Sequence, residues 1–154
     1  MLFYKGDGVE YAEGLSKNGY YVILAHGCNL SGGFGSGIAG KIKEKFPFVA
    51  DAYYNYSKFY RLGEIMPVMV DDHFIIYNCF TQERYGRNKN IKYASLEAIS
   101  SCMLKVAIDS KNLNYDTVVI PRIGCGNGGL DWEEVKDVLM EIEVECDMKF
   151  NVNG

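Results

Sequence analysis

Twice along this chain an apolar, β-prone run ends without a break in a glycine-rich loop. The first is "YYVILAHGCNLSGGFGSGIAG", residues 20 to 40, and the second is "DTVVIPRIGCGNGG", residues 116 to 129. Runs with so few polar positions read as strands buried on both faces, which requires a largely parallel sheet covered by helices. In such layered folds ligands settle outside the carboxyl ends of the strands. Both loops leave strand ends of that kind, so both belong on the same side of the sheet.

The rest of the chain fits an α/β pattern. "LFYK" reads as a short first strand closed by a turn at "GDG". A helix is expected from about Gly35 to Lys45, stopped at "FP" because the residue before Pro47 is pushed out of helical geometry. Aromatic residues at 53, 54, 56, 59 and 60 suggest a further helix against the sheet. "IMPVMVDDHFIIYNCF" reads as two strands joined near Asp71 and Asp72, with His73 as a solvated turn residue. Apolar residues at Leu96, Ile99, Met103, Val106 and Ala107 have helical spacing within 91 to 109. "DWEEVKDVLMEIE" opens with a D-x-x-E capping box, Asp131 capping and Glu134 reaching back. "DMKFNVN" reads as a last strand. Alternation of strands and helices with a few adjacent strands implies a three-layer α/β/α fold with a mixed sheet.

Length and charge narrow the function classes. The 154 residues suit one domain, with no linker-like stretch, repeat or low-complexity segment. A net charge of −4 disfavours a sequence-independent nucleic-acid binder. Five widely spaced cysteines without a C-x-x-C pair, and only two histidines, make a metal site unexpected. They read as reduced thiols of a cytoplasmic protein. The first residues have no apolar run suited to a signal peptide or a membrane span. A monomer without cofactor or metal is expected.

Glycines 32, 33, 35 and 37 free the backbone to approach a ligand, and consecutive N–H groups leading into a helix form an anion-binding concavity. The order of residues is neither that of a P-loop nor that of G-x-G-x-x-G, which disfavours a nucleoside triphosphate or nicotinamide. Two such loops around one crevice suit a ligand with a diphosphate in its middle. Glycines that only turn the chain remain the alternative.

The blocks "KGD", "AHGCN…GGFGSGIAGKIKEKFP", "YNCFTQ…YG" and "PRIGCGNGGLDWEEV" occur in an order that resembles the macro domain family over essentially the whole chain. The resemblance is greatest to the branch holding the ADP-ribose 1''-phosphate phosphatases and the terminal ADP-ribose protein glycohydrolases. It implies a six-stranded mixed sheet with ADP-ribose, or an ADP-ribosylated macromolecule, bound across the strand ends. By position, Asp7 would accept a hydrogen bond from the adenine amine. Gly33, Gly35, Ser36, Gly37 and Ile38 would enclose the diphosphate and distal ribose from one side. Gly124, Cys125, Gly126 and Asn127 would do so from the other, with Cys28 also near the ligand. Phe80, Thr81 and Gln82 would border the distal ribose, and Tyr85 would close over it.

For the chemistry, the resemblance makes His26 and Asn29 the catalytic candidates. Imidazole could deprotonate water, protonate a leaving oxygen or bond to a terminal phosphate, or the ring could merely shape the loop. Asn29 would orient ribose or water. Gln82 stands where the glycohydrolases carry a reactive lysine, and Gly128 where they carry an aspartate, so a covalent lysine route is not expected. Arg84, Arg87 and Lys89 form a basic flap suited to a terminal phosphate, to nucleic acid or simply to solvent. The expected activity is removal of phosphate from ADP-ribose 1''-phosphate. The alternatives are release of ADP-ribose from protein or nucleic acid, and binding without cleavage.

Overall fold

The computed structural model describes all 154 residues. In chain order the elements are β1 (Leu2–Tyr4), α1 (Gly8–Lys17), β2 (Val22–Asn29), α2 (Gly37–Lys45), α3 (Pro47–Tyr56), a 3₁₀ turn (Ser57–Phe59), β3 (Ile65–Asp71), β4 (Phe74–Gln82), α4 (Leu96–Leu113), β5 (Thr117–Ile120), α5 (Trp132–Cys146) and β6 (Phe150–Asn153). One sheet runs in the order β1-β6-β5-β2-β4-β3. Only the β3–β4 pair is antiparallel. The expected mixed sheet of six strands is therefore the observed one.

Alternate residues of each central strand feed two separate cores, which makes the fold three-layered. Ile23, Ala25, Tyr77, Val118 and Ile120 pack under α4 and α5, with Ile99, Met103, Val135 and Leu139. Val22, Leu24, Ile76 and Val119 face α1, α2 and α3, with Val9, Ala12, Ile42, Val49 and Tyr53. No helix is long and apolar enough to cross a membrane.

The helix α1 departs from the sequence reading, which ended the first strand in a turn at "GDG". Asp7 is the N-cap of this helix: its Oδ1 accepts from Val9 N at 2.8 Å and Glu10 N at 3.2 Å. Capping supplies partners to N–H groups that the first turn otherwise leaves unpaired. Burial alone would raise the Asp7 pKa, but the Lys41 ammonium and these two N–H groups outweigh it and hold the carboxyl below its usual value.

Other boundaries shift for local reasons. Pro47 ends α2 at Lys45 as expected, yet it also occupies the first position of α3, where its missing N–H costs nothing. Asp131 caps α5, but through Glu133 N at 3.4 Å, and no bond from Glu134 completes a capping box. His73 is not a freely solvated turn residue: its ring stacks on Tyr21 with centroids 4.5 Å apart.

Candidate functional site

The row of strand ends holds a cavity of about 510 Å³ between the two glycine loops. Its wall on one side is Gly33, Gly35, Ser36 and Ile38 at the entry to α2. Gly124, Gly126 and Asn127, after β5, line the other side. Thr81, Gln82 and Tyr85 continue the wall from the end of β4. The cavity thus brings together most residues that the sequence assigned to a ligand.

The entry to α2 presents the start of the helix to the cavity. Its N-cap, Ser36, has extended geometry but makes no side-chain bond to the helix. Helix N-terminal N–H groups without a cap favour negative charge. The second loop depends on tight backbone. Gly124 has φ +79°, a conformation that side chains disfavour, and Gly128 lies so close that a Cβ there would sit 2.6 Å from the Gly124 carbonyl oxygen.

Four assigned residues lie off the cavity wall. Asp7 is committed to capping α1, although Gly8 beside it stands next to Ile38. Phe80 is fully buried and stacks on Tyr60 beneath the strand ends. The Cys125 Sγ turns back to the Ile123 carbonyl at 3.6 Å, and Gly37 is exposed in the first turn of α2. Cys28, expected near the ligand, is buried beside His26, and burial pushes its thiol pKa far up.

Both catalytic candidates are engaged in hydrogen bonds that shape the fold. His26 has no exposed surface. Its Nε2 lies 2.6 Å from Asn78 Oδ1 across the β2–β4 pairing. An amide oxygen only accepts, so the proton is on Nε2. Phe34 covers the ring edge-on. The ring is buried behind the cavity wall, and the loop-shaping alternative is the one this geometry fits.

Asn29 does line the cavity, but its amide is occupied in folding the first loop. Nδ2 donates to the Gly33 carbonyl at 2.8 Å, while Oδ1 accepts from Ser31 N at 3.0 Å and Gly33 N at 3.1 Å. The Tyr53 hydroxyl, 2.8 Å from both the Asn29 carbonyl and Oδ1, donates to one of them and accepts from Gly32 N. Asn29 is the internal brace of the glycine loop: its Oδ1 is fully engaged there, and one N–H of Nδ2 is left over at the cavity.

Burial pushes the His26 pKa down to about 4, against a raising contribution from the bond to Asn78. Above about pH 6.5 the ring is neutral in both folded and unfolded chains. Below that, the unfolded chain takes up a proton that the folded one refuses until about pH 4. Stability is therefore complete above pH 6.5 and falls on the order of 3 kcal/mol as pH drops to 4. Urea unfolding at pH 7 and pH 4.5 measures this, and His26→Gln is expected to flatten the difference. Equal pH slopes in both proteins would assign the loss to other groups.

Several wall residues were not assigned to the site from the sequence: Gly27, Ala39, Gly86, Arg87, Pro121, Arg122, Ile123 and Gly128. Pro121 to Ile123 are the first residues past the end of β5, and that position was the available signal. Arg87 belongs to the basic flap, in which Tyr85 lies against Gly33 and the Arg84 guanidinium sits over the Tyr93 ring at 5.5 Å. The wall carries two arginines and no carboxylate, lysine, histidine or cysteine. The Thr81 hydroxyl is buried at its edge without a hydrogen-bond partner.

The sequence matches the Macro domain family over residues 25–139, a span that includes both glycine loops. It is 30% identical to the ADP-ribose 1''-phosphate phosphatase of Candida albicans, over 99% of this chain and 97% of that protein. It is also 30% identical to the ADP-ribose glycohydrolase OARD1 of Homo sapiens, over 84% of this chain and 79% of that protein. Among solved structures, a macrodomain protein from Streptomyces coelicolor shares the fold, with a TM-score of 0.80 and 22% identity. That alignment covers 99% of this chain and 97% of the other. With the family matched over residues 25–139 and 30% identity to the Candida protein over nearly the whole length of both chains, the chain belongs to the Macro domain family.

Proposed function

We propose that this protein binds ADP-ribose between its two glycine loops and hydrolyses ADP-ribose 1''-phosphate to ADP-ribose and inorganic phosphate. The observation that carries this reading is the charge of the cavity wall: Arg87 and Arg122 are its only ionised side chains at neutral pH. Such a wall attracts a ligand bearing a diphosphate and, beyond it, a terminal phosphate. Similarity to the Candida phosphatase over almost the full length of both chains supports the same substrate.

No side-chain base stands at the cavity, so catalysis rests on electrostatic placement. Loop N–H groups and Arg87 would hold the phosphoryl oxygens while water attacks phosphorus, the bond to the sugar oxygen breaks, and a proton of that water passes to the departing oxygen. The reading in which ADP-ribose is released from a macromolecule lacks its reactive groups here: Gln82 replaces the lysine, and its Nε2 is bonded to the Arg84 carbonyl at 2.8 Å. Binding without cleavage is the second reading, favoured by the absence of any acid or base on the wall.

Calorimetry with ADP-ribose, ATP and NAD tests the ligand, with preference for ADP-ribose expected. Phosphate release from ADP-ribose 1''-phosphate tests the reaction. Arg87→Ala is expected to keep ADP-ribose affinity and to slow release about tenfold, the equivalent of about 1.4 kcal/mol of transition-state stabilisation. Tight binding with no phosphate released would select the non-catalytic reading.

A further inference from the structure

Residues 84 to 93, "RYGRNKNIKY", hold four of the chain's 16 basic residues and no carboxylate. Arg87 belongs to the cavity wall, but Arg84, Lys89 and Lys92 do not line it, so a ligand between the glycine loops leaves them without a role. All three are exposed, and none pairs with a carboxylate. Two lysines of α2 differ in this respect, since Lys41 is paired with Asp7 and Lys45 with Glu13.

The segment has a fixed shape. Its ends are tied to the sheet, where Gln82 bridges to Ala94 and Ser95 N donates to the Thr81 carbonyl at 2.8 Å. In its middle, Asn88 Oδ1 accepts from Asn90 N at 3.0 Å and Asn88 N donates to the Tyr93 hydroxyl at 3.3 Å. Tyr85 stands beside Gly33 at the cavity with 61% of its surface exposed. The segment therefore offers free cations and an open aromatic ring on an ordered backbone, so little ordering entropy opposes binding.

Unpaired cations along a loop attract a phosphate backbone, and an exposed tyrosine stacks on bases that are not already paired. The net charge of −4 does not stand against such a partner. Helix α5 alone carries six carboxylates and one lysine, so the negative excess belongs to that helix.

We infer that residues 84–93 form a docking strip for single-stranded nucleic acid, in which Arg84, Lys89 and Lys92 neutralise backbone phosphates and Tyr85 stacks on an unpaired base. The strip goes beyond the proposed reaction: it requires no ADP-ribose in the cavity, and Arg87 stays with the cavity.

Fluorescence anisotropy with labelled oligothymidylate and oligouridylate of about 12 nucleotides, a length one such site can span, tests this and tells DNA from RNA. Binding of either supports the strip. Three phosphate contacts predict a slope of log affinity against log salt of about −2, at roughly −0.7 per contact on a single strand. The triple variant R84Q/K89Q/K92Q is expected to bind about tenfold more weakly at low salt, with a slope near zero. An unchanged urea midpoint shows that it is folded. Y85A should lose about tenfold in affinity and keep the wild-type slope, whereas Y85F should bind as the wild type does. A wild type that binds neither oligonucleotide overturns the inference, as does a triple variant or a Y85A that binds as well as the wild type. Equal affinity for polyglutamate, or tighter binding of a duplex of the same length, would also sink it. ADP-ribose calorimetry keeps the two proposals apart: the triple variant should retain that affinity, and a wild type that binds the oligonucleotide but ignores ADP-ribose overturns the functional proposal alone.

Discussion

Asn29→Ala is expected to destabilise the protein by about 2 kcal/mol, since several partly buried backbone groups lose a partner at once. The alanine leaves the Gly33 carbonyl and the N–H groups of Ser31 and Gly33 unpaired. It also removes one of the two acceptors available to the Tyr53 hydroxyl. Because that network sets the path of residues 29 to 33, ADP-ribose affinity should fall along with stability. Denaturant unfolding and calorimetry on the same preparation check both. The opposite pattern, unchanged stability and affinity with turnover alone reduced, would return Asn29 to the chemistry. Asn29→Asp sharpens the comparison, since it keeps the acceptor oxygen and replaces only the donor to Gly33.

Gly128→Ala should cost about 2–3 kcal/mol, the range for forcing an atom into a filled site. The new Cβ would stand 2.6 Å from the Gly124 oxygen and 3.0 Å from the Ala94 Cβ, and both belong to rigid surroundings. Ala94 N donates to the Gly128 carbonyl, so a shift there pulls on the start of α4 as well. ADP-ribose binding is expected to weaken by about tenfold or more, since a displaced loop forfeits about 1.4 kcal/mol or more of contact. Gly128→Asp should match alanine in stability and gain no power to release ADP-ribose from protein. Any such gain would show that the loop accepts a working carboxylate, contrary to its packing.

How much of this could be read from residues alone depended on whether the signal was local. The two loops were legible because a glycine cluster after an apolar strand restricts the backbone by itself. The sheet followed from the alternation of strands and helices. The helix α1 was missed because Gly8 and Gly14 dilute its pattern, although Asp7 and Glu10 repeat the D-x-x-E spacing that was recognised at Asp131. The structural bonds of His26 and Asn29 were not legible for another reason. Their polarity was visible in the sequence, but what satisfies it, Asn78 for one and the loop backbone with Tyr53 for the other, comes from distant segments.

The two apolar layers meet solvent together at the cavity. Phe34, inside the first glycine loop, belongs to the core under α1 to α3, whereas Ile123 and Leu130, flanking the second, belong to the core under α4 and α5. A ligand held by both loops would therefore be a clasp between two halves that share the sheet and the contact of Tyr85 with Gly33. Loosening either half, even far from the crest, moves one jaw relative to the other, and the affinity of the clasp becomes a gauge of the packing in both.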